Sequence, residues 1–131
     1  MIVAFILGFV VAVVALVAFR YHYPALTVTH GVHEVKPNVA MQKILSKEYD
    51  FVVDVRTEDE WNEAHLRFDN VVHIPIGILV TALPAKIPDK NARLLFVCKR
   101  GIRAEAANVI ANKLGYKNVD YLDRSYTSLL Q

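Results

Sequence analysis

The stretch Leu94-Leu95-Phe96-Val97-Cys98-Lys99-Arg100-Gly101-Ile102-Arg103 decides the reading of this chain. A short apolar run ends in the only cysteine; a glycine and three cations follow, and then Ala104–Leu114, rich in good helix formers. The run reads as a buried strand and the segment after it as a helix with apolar positions at helical spacing. Cys98 therefore sits on a turn into a helix N-terminus, where backbone N–H groups lack intrahelical partners and favour an anion. The thiolate is the reactive form of cysteine, and an ordinary thiol titrates at about 8.5. A helix dipole contributes only about 0.3–1 kcal/mol, so further help has to come from loop N–H groups and from Lys99, Arg100 and Arg103. Gly101 gives the loop access to a positive φ, which turns successive N–H groups inward as an anion nest. The local residues leave two readings open, a buried small hydrophobe at a strand end or a reactive thiol beside cations.

Working outward, Phe51-Val52-Val53-Asp54-Val55-Arg56-Thr57-Glu58-Asp59-Glu60-Trp61 precedes Ala64-His65-Leu66 and Val71-Val72-His73-Ile74-Pro75. In this order, and with the Cys98–Arg103 loop, these segments resemble the single-domain rhodaneses, a sulfurtransferase family. The resemblance covers roughly residues 32–123. It implies a parallel α/β sheet with helices on both faces. Strand-like runs at 51–56, 71–74, 93–97 and 118–122 alternate with helical stretches, as βαβ units require. Val32–Val35 reads as a further short strand, and Pro37 as the start of a helix ending near Ser46.

The resemblance implies that Cys98 is a nucleophile that accepts a sulfane sulfur as a persulfide. Lys99, Arg100, Gly101, Ile102 and Arg103 would cradle it, with Arg103 and either Arg100 or Lys99 binding an anionic donor such as thiosulfate. Asp54 and Arg56 match the family's Asp-x-Arg as supporting residues; read alone, they are an ion pair or helix cap, with Glu60 as one candidate partner. A thiol, cyanide or a protein would accept the sulfur. With no second cysteine, the acceptor has to be external.

The chain departs from the family in three places. Ala64 stands where glycine is usual. The His65–Pro75 connection is longer and lacks its usual glycine, leaving Asp69-Asn70 to form the turn through left-handed backbone. Leu122-Asp123-Arg124-Ser125-Tyr126 replaces a C-terminal Gly-Gly and tryptophan, which implies a shortened final helix. Dual-specificity phosphatases share the scaffold with a longer loop. Four residues separate Cys98 from Arg103 here, which suits a single sulfur better than a phosphate. A non-enzymatic recruitment module and a cysteine-dependent phosphatase or arsenate reductase are the alternative readings.

Residues 2–19 carry no charged or polar side chain. At about 1.5 Å per residue they reach roughly 27 Å, close to a bilayer's hydrocarbon core. The expected organisation is a transmembrane anchor over 1–20, a tether over 21–31 and the domain over 32–131. Arg20 and the positive-inside rule place that domain on the cytoplasmic side of a single-pass membrane protein. Fifteen basic and thirteen acidic residues, net +2, argue against nucleic-acid binding. The five histidines have no metal-site spacing, and nothing calls for a cofactor.

Overall fold

The computed structural model describes residues 33–130. Five parallel strands form one sheet: β1 (His33–Val35), β2 (Phe51–Asp54), β3 (Val71–His73), β4 (Arg93–Cys98) and β5 (Asn118–Ser125). Their order across the sheet is β1-β5-β4-β2-β3. Four α-helices connect or flank them: α1 (Pro37–Leu45), α2 (Glu58–Glu63), α3 (Leu79–Lys86) and α4 (Ile102–Lys113). Short 3-10 turns at Ile76–Ile78 and Tyr126–Leu129 complete the elements among the described residues.

The central strands are apolar on both faces because both faces are covered, as parallel sheets require. Val53, Leu94 and Phe96 point to one side, where Leu79 and Leu83 of α3 and Ala104, Ala107 and Ala111 of α4 close the core. Val52, Leu95 and Val97 point to the other, against Ala40 and Ile44 of α1, Leu66, Tyr126 and Leu129. The three alanines are small enough for α4 to lie directly on the strands, and all three are completely buried. The sheet with helices on both faces is thus the architecture expected from the alternating pattern.

Several boundaries differ from the sequence reading. β2 stops at Asp54, because the next two residues turn into the cap of α2. β5 runs on to Ser125 through an irregularity in its pairing with β4, where Phe96 faces Tyr121 but Cys98 faces Ser125. Asp69-Asn70 does form the turn before β3, but without left-handed backbone. The Asn70 side-chain amide holds it by donating to the carbonyls of Tyr49 (3.0 Å) and Asp50 (3.4 Å). In place of the expected shortened final helix, β5 is followed by the 3-10 turn Tyr126–Leu129, which buries Tyr126 and Leu129.

The expected single-pass membrane localisation is corrected. Among the described residues no helix is long and apolar enough to cross a membrane. The longest, α4, has 12 residues, or about 18 Å against the roughly 30 Å of a bilayer core. Residues 2–19, which carried the expectation, lie outside the described residues, as do the anchor over 1–20, the tether over 21–31 and Val32.

Candidate active site

The strand order places a crevice between β2 and β4. From β2 the chain crosses to β3 over one face, burying Leu66 and packing Phe68 there, while from β4 it crosses to β5 through α4 on the opposite face. Neighbouring strands whose connections leave to opposite sides part at their C-terminal ends, where ligands bind in open α/β sheets. Asp54 ends β2 and Cys98 ends β4, with Asp54 paired to Val97 in register.

Cys98 is 1% exposed. Its Sγ accepts the backbone N–H of Gly101 at 3.0 Å and of Ala104 at 3.3 Å. Gly101 is the N-cap of α4 and no side chain caps the helix there. The sulfur therefore receives the N–H that a serine or aspartate cap would take, and an anionic sulfur gains most from those donors. Gly101 has φ 92°, the positive value the sequence reading calls for. A Cβ at this position would stand 2.7 Å from the Asp123 carbonyl oxygen and 2.9 Å from its carbon. The irregular stretch of β5 presses its backbone against the loop at this point. A cavity of about 360 Å³ opens over the sulfur, lined by Cys98, Lys99, Arg100, Ile102 and Arg103. Ile102, 72% exposed, stands at its rim.

Asp54 and Arg56 lie behind this loop, both buried. The Arg56 Nε donates to both Asp54 carboxylate oxygens at 3.0 Å, and Nη2 donates to Oδ2 at 2.8 Å. Further donation goes to the carbonyls of Glu60 (3.3 Å) and Ala64 (2.7 Å). The guanidinium also stacks on the Tyr126 ring, 3.7 Å from its centroid. Burial opposes the Arg56 charge, but the Asp54 carboxylate outweighs it and raises the guanidinium's pKa above its ordinary value. These bonds commit Arg56 to joining β2, α2 and the C-terminal turn.

Arg103 is engaged as well. Its Nη1 and Nη2 donate to the two Glu60 oxygens at 2.6 and 2.9 Å. This hydrogen-bonded guanidinium holds the Glu60 carboxyl at about 2, well below the usual carboxylate range. The same carboxylate accepts from Thr57 in a capping box that starts α2. Lys99 and Arg100 are exposed. Glu60, one candidate partner for Asp54 and Arg56 in the sequence, meets Arg56 through its carbonyl and gives its carboxylate to Arg103; the Thr57-x-x-Glu60 capping box is the readable signal that this side chain turns back towards the start of its helix. Tyr126, missed in the sequence, carried no local signal. Trp61 stacks with both His65 (centroids 3.8 Å apart) and His73 (4.8 Å). His73 Nε2 donates to the Arg56 carbonyl at 2.8 Å, so this nitrogen carries the proton. Among the described residues no group of histidine, cysteine and carboxylate side chains is placed to hold a metal.

A family model for the rhodanese-like domain matches residues 36–131. The chain belongs to the rhodanese-like domain family. This rhodanese-like chain is 32% identical over 89 residues to YrkF of Bacillus subtilis (strain 168), a sulfur carrier protein by name, covering 68% of this chain and 46% of that one. It is also 32% identical over 75 residues to the tRNA uridine(34) hydroxylase of Erwinia tasmaniensis, covering 54% and 21% of the two chains. It thus spans less than half the length of either curated relative. Among solved structures, the human single-domain sulfurtransferase TSTD1 superposes with a TM-score of 0.66 at 24% identity, covering 76% of this chain and 96% of that one. The single-domain sulfurtransferase RDL2 of Saccharomyces cerevisiae gives 0.61 at 20% identity, covering 76% and 89%. At these identities the superpositions establish the shared rhodanese-like fold.

Proposed function

We propose that this rhodanese-like chain is a sulfurtransferase that carries a sulfane sulfur on Cys98, taking it from a donor such as thiosulfate and passing it to a thiophilic acceptor. One observation carries the reading: a buried sulfur at a strand end receives two backbone N–H donors from the loop and first turn of α4. Those donors favour the Cys98 thiolate, which opens a covalent cycle as the nucleophile and closes it as the leaving group.

In the first half-reaction the Cys98 thiolate attacks the outer sulfur of thiosulfate. The S–S bond breaks and its electron pair leaves with sulfite, giving a Cys98 persulfide anion. In the second, cyanide or an acceptor thiolate attacks the terminal sulfur, and the Cys98 thiolate departs as thiocyanate or a new persulfide forms. Charge and sulfur balance in each step, with no oxidant or reductant. Lys99, Arg100 and Arg103 line the route by which an anionic donor arrives, and Gly101 and Ile102 shape the loop around the sulfur. Asp54 and Arg56 hold the adjoining strand end in place. An external acceptor is required because Cys98 is the only cysteine.

Steady-state thiocyanate production from thiosulfate and cyanide tests the reading. The full chain is expected to turn over, and Cys98→Ser to show none. A folded chain without turnover, whose Cys98 still alkylates, would replace this reading with a binding module.

A further inference from the structure

Asp123 does not line the cavity over Cys98, yet its backbone is the surface on which the cysteine loop rests. β5 reaches this point through its irregular stretch. Between the pairs Phe96–Tyr121 and Cys98–Ser125, β4 advances two residues and β5 four. The extra length carries Asp123 out of register and sets its carbonyl oxygen 2.7 Å from where a Gly101 Cβ would stand. A strand that leaves its ladder gives up main-chain bonds there, so a side chain has to hold it. The Asp123 carboxylate, only 10% exposed, supplies the tie: its Oδ2 accepts from Lys36 Nζ at 2.7 Å. No donor reaches its buried Oδ1, and Arg124 Nε stays 3.9 Å from Oδ2. Burial opposes the Asp123 charge, but Lys36 outweighs it and holds the carboxyl below its ordinary value. Lys36 is itself fixed, since it is the N-cap of α1 and its carbonyl accepts the Ala40 N–H at 2.9 Å. A carboxylate this buried is costly unless its partner stays in place.

We infer that Asp123 is a positioning residue for Cys98: its tie to Lys36 pins the irregular stretch of β5 against Gly101 and so keeps the loop N–H groups aimed at the sulfur. The chain of contacts is short. Lys36 holds the Asp123 carboxylate, the Asp123 carbonyl packs on Gly101, and the Gly101 N–H donates to Cys98 Sγ at 3.0 Å. Loosening the tie lets the carbonyl withdraw, and the loop gains room to turn its N–H groups away. Without those donors the Cys98 thiolate is a less populated nucleophile and a poorer leaving group. That kinetic consequence rests on the sulfur-transfer reading; the placement of the loop does not.

The test isotope-labels the full chain at its five glycines and reads amide hydrogen exchange of Gly101 by NMR. Gly115, whose N–H donates to the Asn112 carbonyl at 3.0 Å beyond the far end of α4, is the internal control. Lys36→Met and Asp123→Ala should each speed Gly101 exchange about 3- to 10-fold, the range of one lost hydrogen bond. Gly115 should stay within about twofold of wild type, as a distant independent site does. Asp123→Asn keeps an oxygen for Lys36, so Gly101 exchange in it should also stay within about twofold. The double variant Lys36→Met/Asp123→Ala should exchange no faster than either single one, because both remove the same tie. Losing the lysine charge without moving the loop would instead slow hydroxide-catalysed exchange, so the direction separates geometry from field. In thiocyanate production the two single variants should lower kcat about 3- to 10-fold with the thiosulfate KM within about twofold, since neither side chain lines the cavity. If Asp123→Ala fails to fold, Lys36→Met and Asp123→Asn still decide. Unchanged Gly101 exchange, equal acceleration at Gly115, or additive effects in the double variant would overturn the inference, as would faster Gly101 exchange with an unaltered kcat. If wild type makes no thiocyanate but Gly101 exchange responds as expected, the sulfur-transfer reading fails and the assignment of Asp123 to the loop stands.

Discussion

Gly101→Ala should be the most damaging single-methyl change in this domain, and two other glycines calibrate how damaging. The new Cβ would lie 2.7 Å from the Asp123 carbonyl oxygen and 2.9 Å from its carbon, both backbone atoms of a paired strand that cannot swing aside. Alanine would also have to hold φ near 92°, a left-handed conformation that costs about 1–2 kcal/mol for a residue with a Cβ. Overpacking adds about 1–3 kcal/mol, so the total is about 2–5 kcal/mol against a usual domain stability of about 5–15. Gly115 has φ 101°, but its Cβ would meet nothing closer than the flexible Lys90 chain at 4.0 Å; Gly115→Ala should cost only the backbone strain, about 1–2 kcal/mol. Gly77 has neither constraint, and Gly77→Ala should fall within about 0.5 kcal/mol of wild type. Urea denaturation of the three variants measures the order. Iodoacetamide alkylation of Cys98 in the native state measures the local effect, since a displaced loop withdraws the Gly101 and Ala104 N–H groups from the sulfur. A Gly101→Ala variant with wild-type stability and alkylation rate would refute the argument that this close approach sets the loop.

Replacing Arg56 by leucine should cost about 3–5 kcal/mol, because it strands the fully buried Asp54 carboxylate; urea midpoints check it, and a near-neutral result would mean that Asp54 finds another partner. The Glu60–Arg103 pair should give stability a signature in acid. With the Glu60 carboxyl held at about 2 in the folded chain against an ordinary 4.5, its contribution is complete above about pH 4.5 and is lost as pH falls through about 2. The two side chains are 24% and 32% exposed, so solvent screening leaves the pair about 0.5–1 kcal/mol. The stability difference between wild type and Glu60→Gln should be of that size at pH 6 and shrink steadily below pH 4, and a difference independent of pH would refute the assignment.

What the sequence discloses here is mainly what is local. The run from Leu94 to Cys98 announces a buried strand, Pro37 opens α1 as expected, and Gly101 adopts the positive φ the loop demands. The architecture follows because apolar strands alternate with helices, which leaves a parallel sheet covered on both faces as the natural arrangement. Contacts that join distant segments are not legible in the same way. Nothing around Tyr126 reveals that its ring will lie under Arg56, and Arg103 finds Glu60 across 43 residues of chain. The irregular pairing of β5 was equally hidden, since Leu122-Asp123-Arg124 carries no glycine or proline to mark it. The apolar stretch over 2–19 shows the opposite hazard: composition alone supported a membrane location that the described helices do not supply.

The most direct test of the central claim is the intact mass of the purified chain after incubation with thiosulfate and removal of excess donor. Sulfur transfer through Cys98 predicts a gain of one sulfur atom that is absent in Cys98→Ser and discharged by cyanide. An unchanged mass, from folded protein whose Cys98 still alkylates, would contradict it.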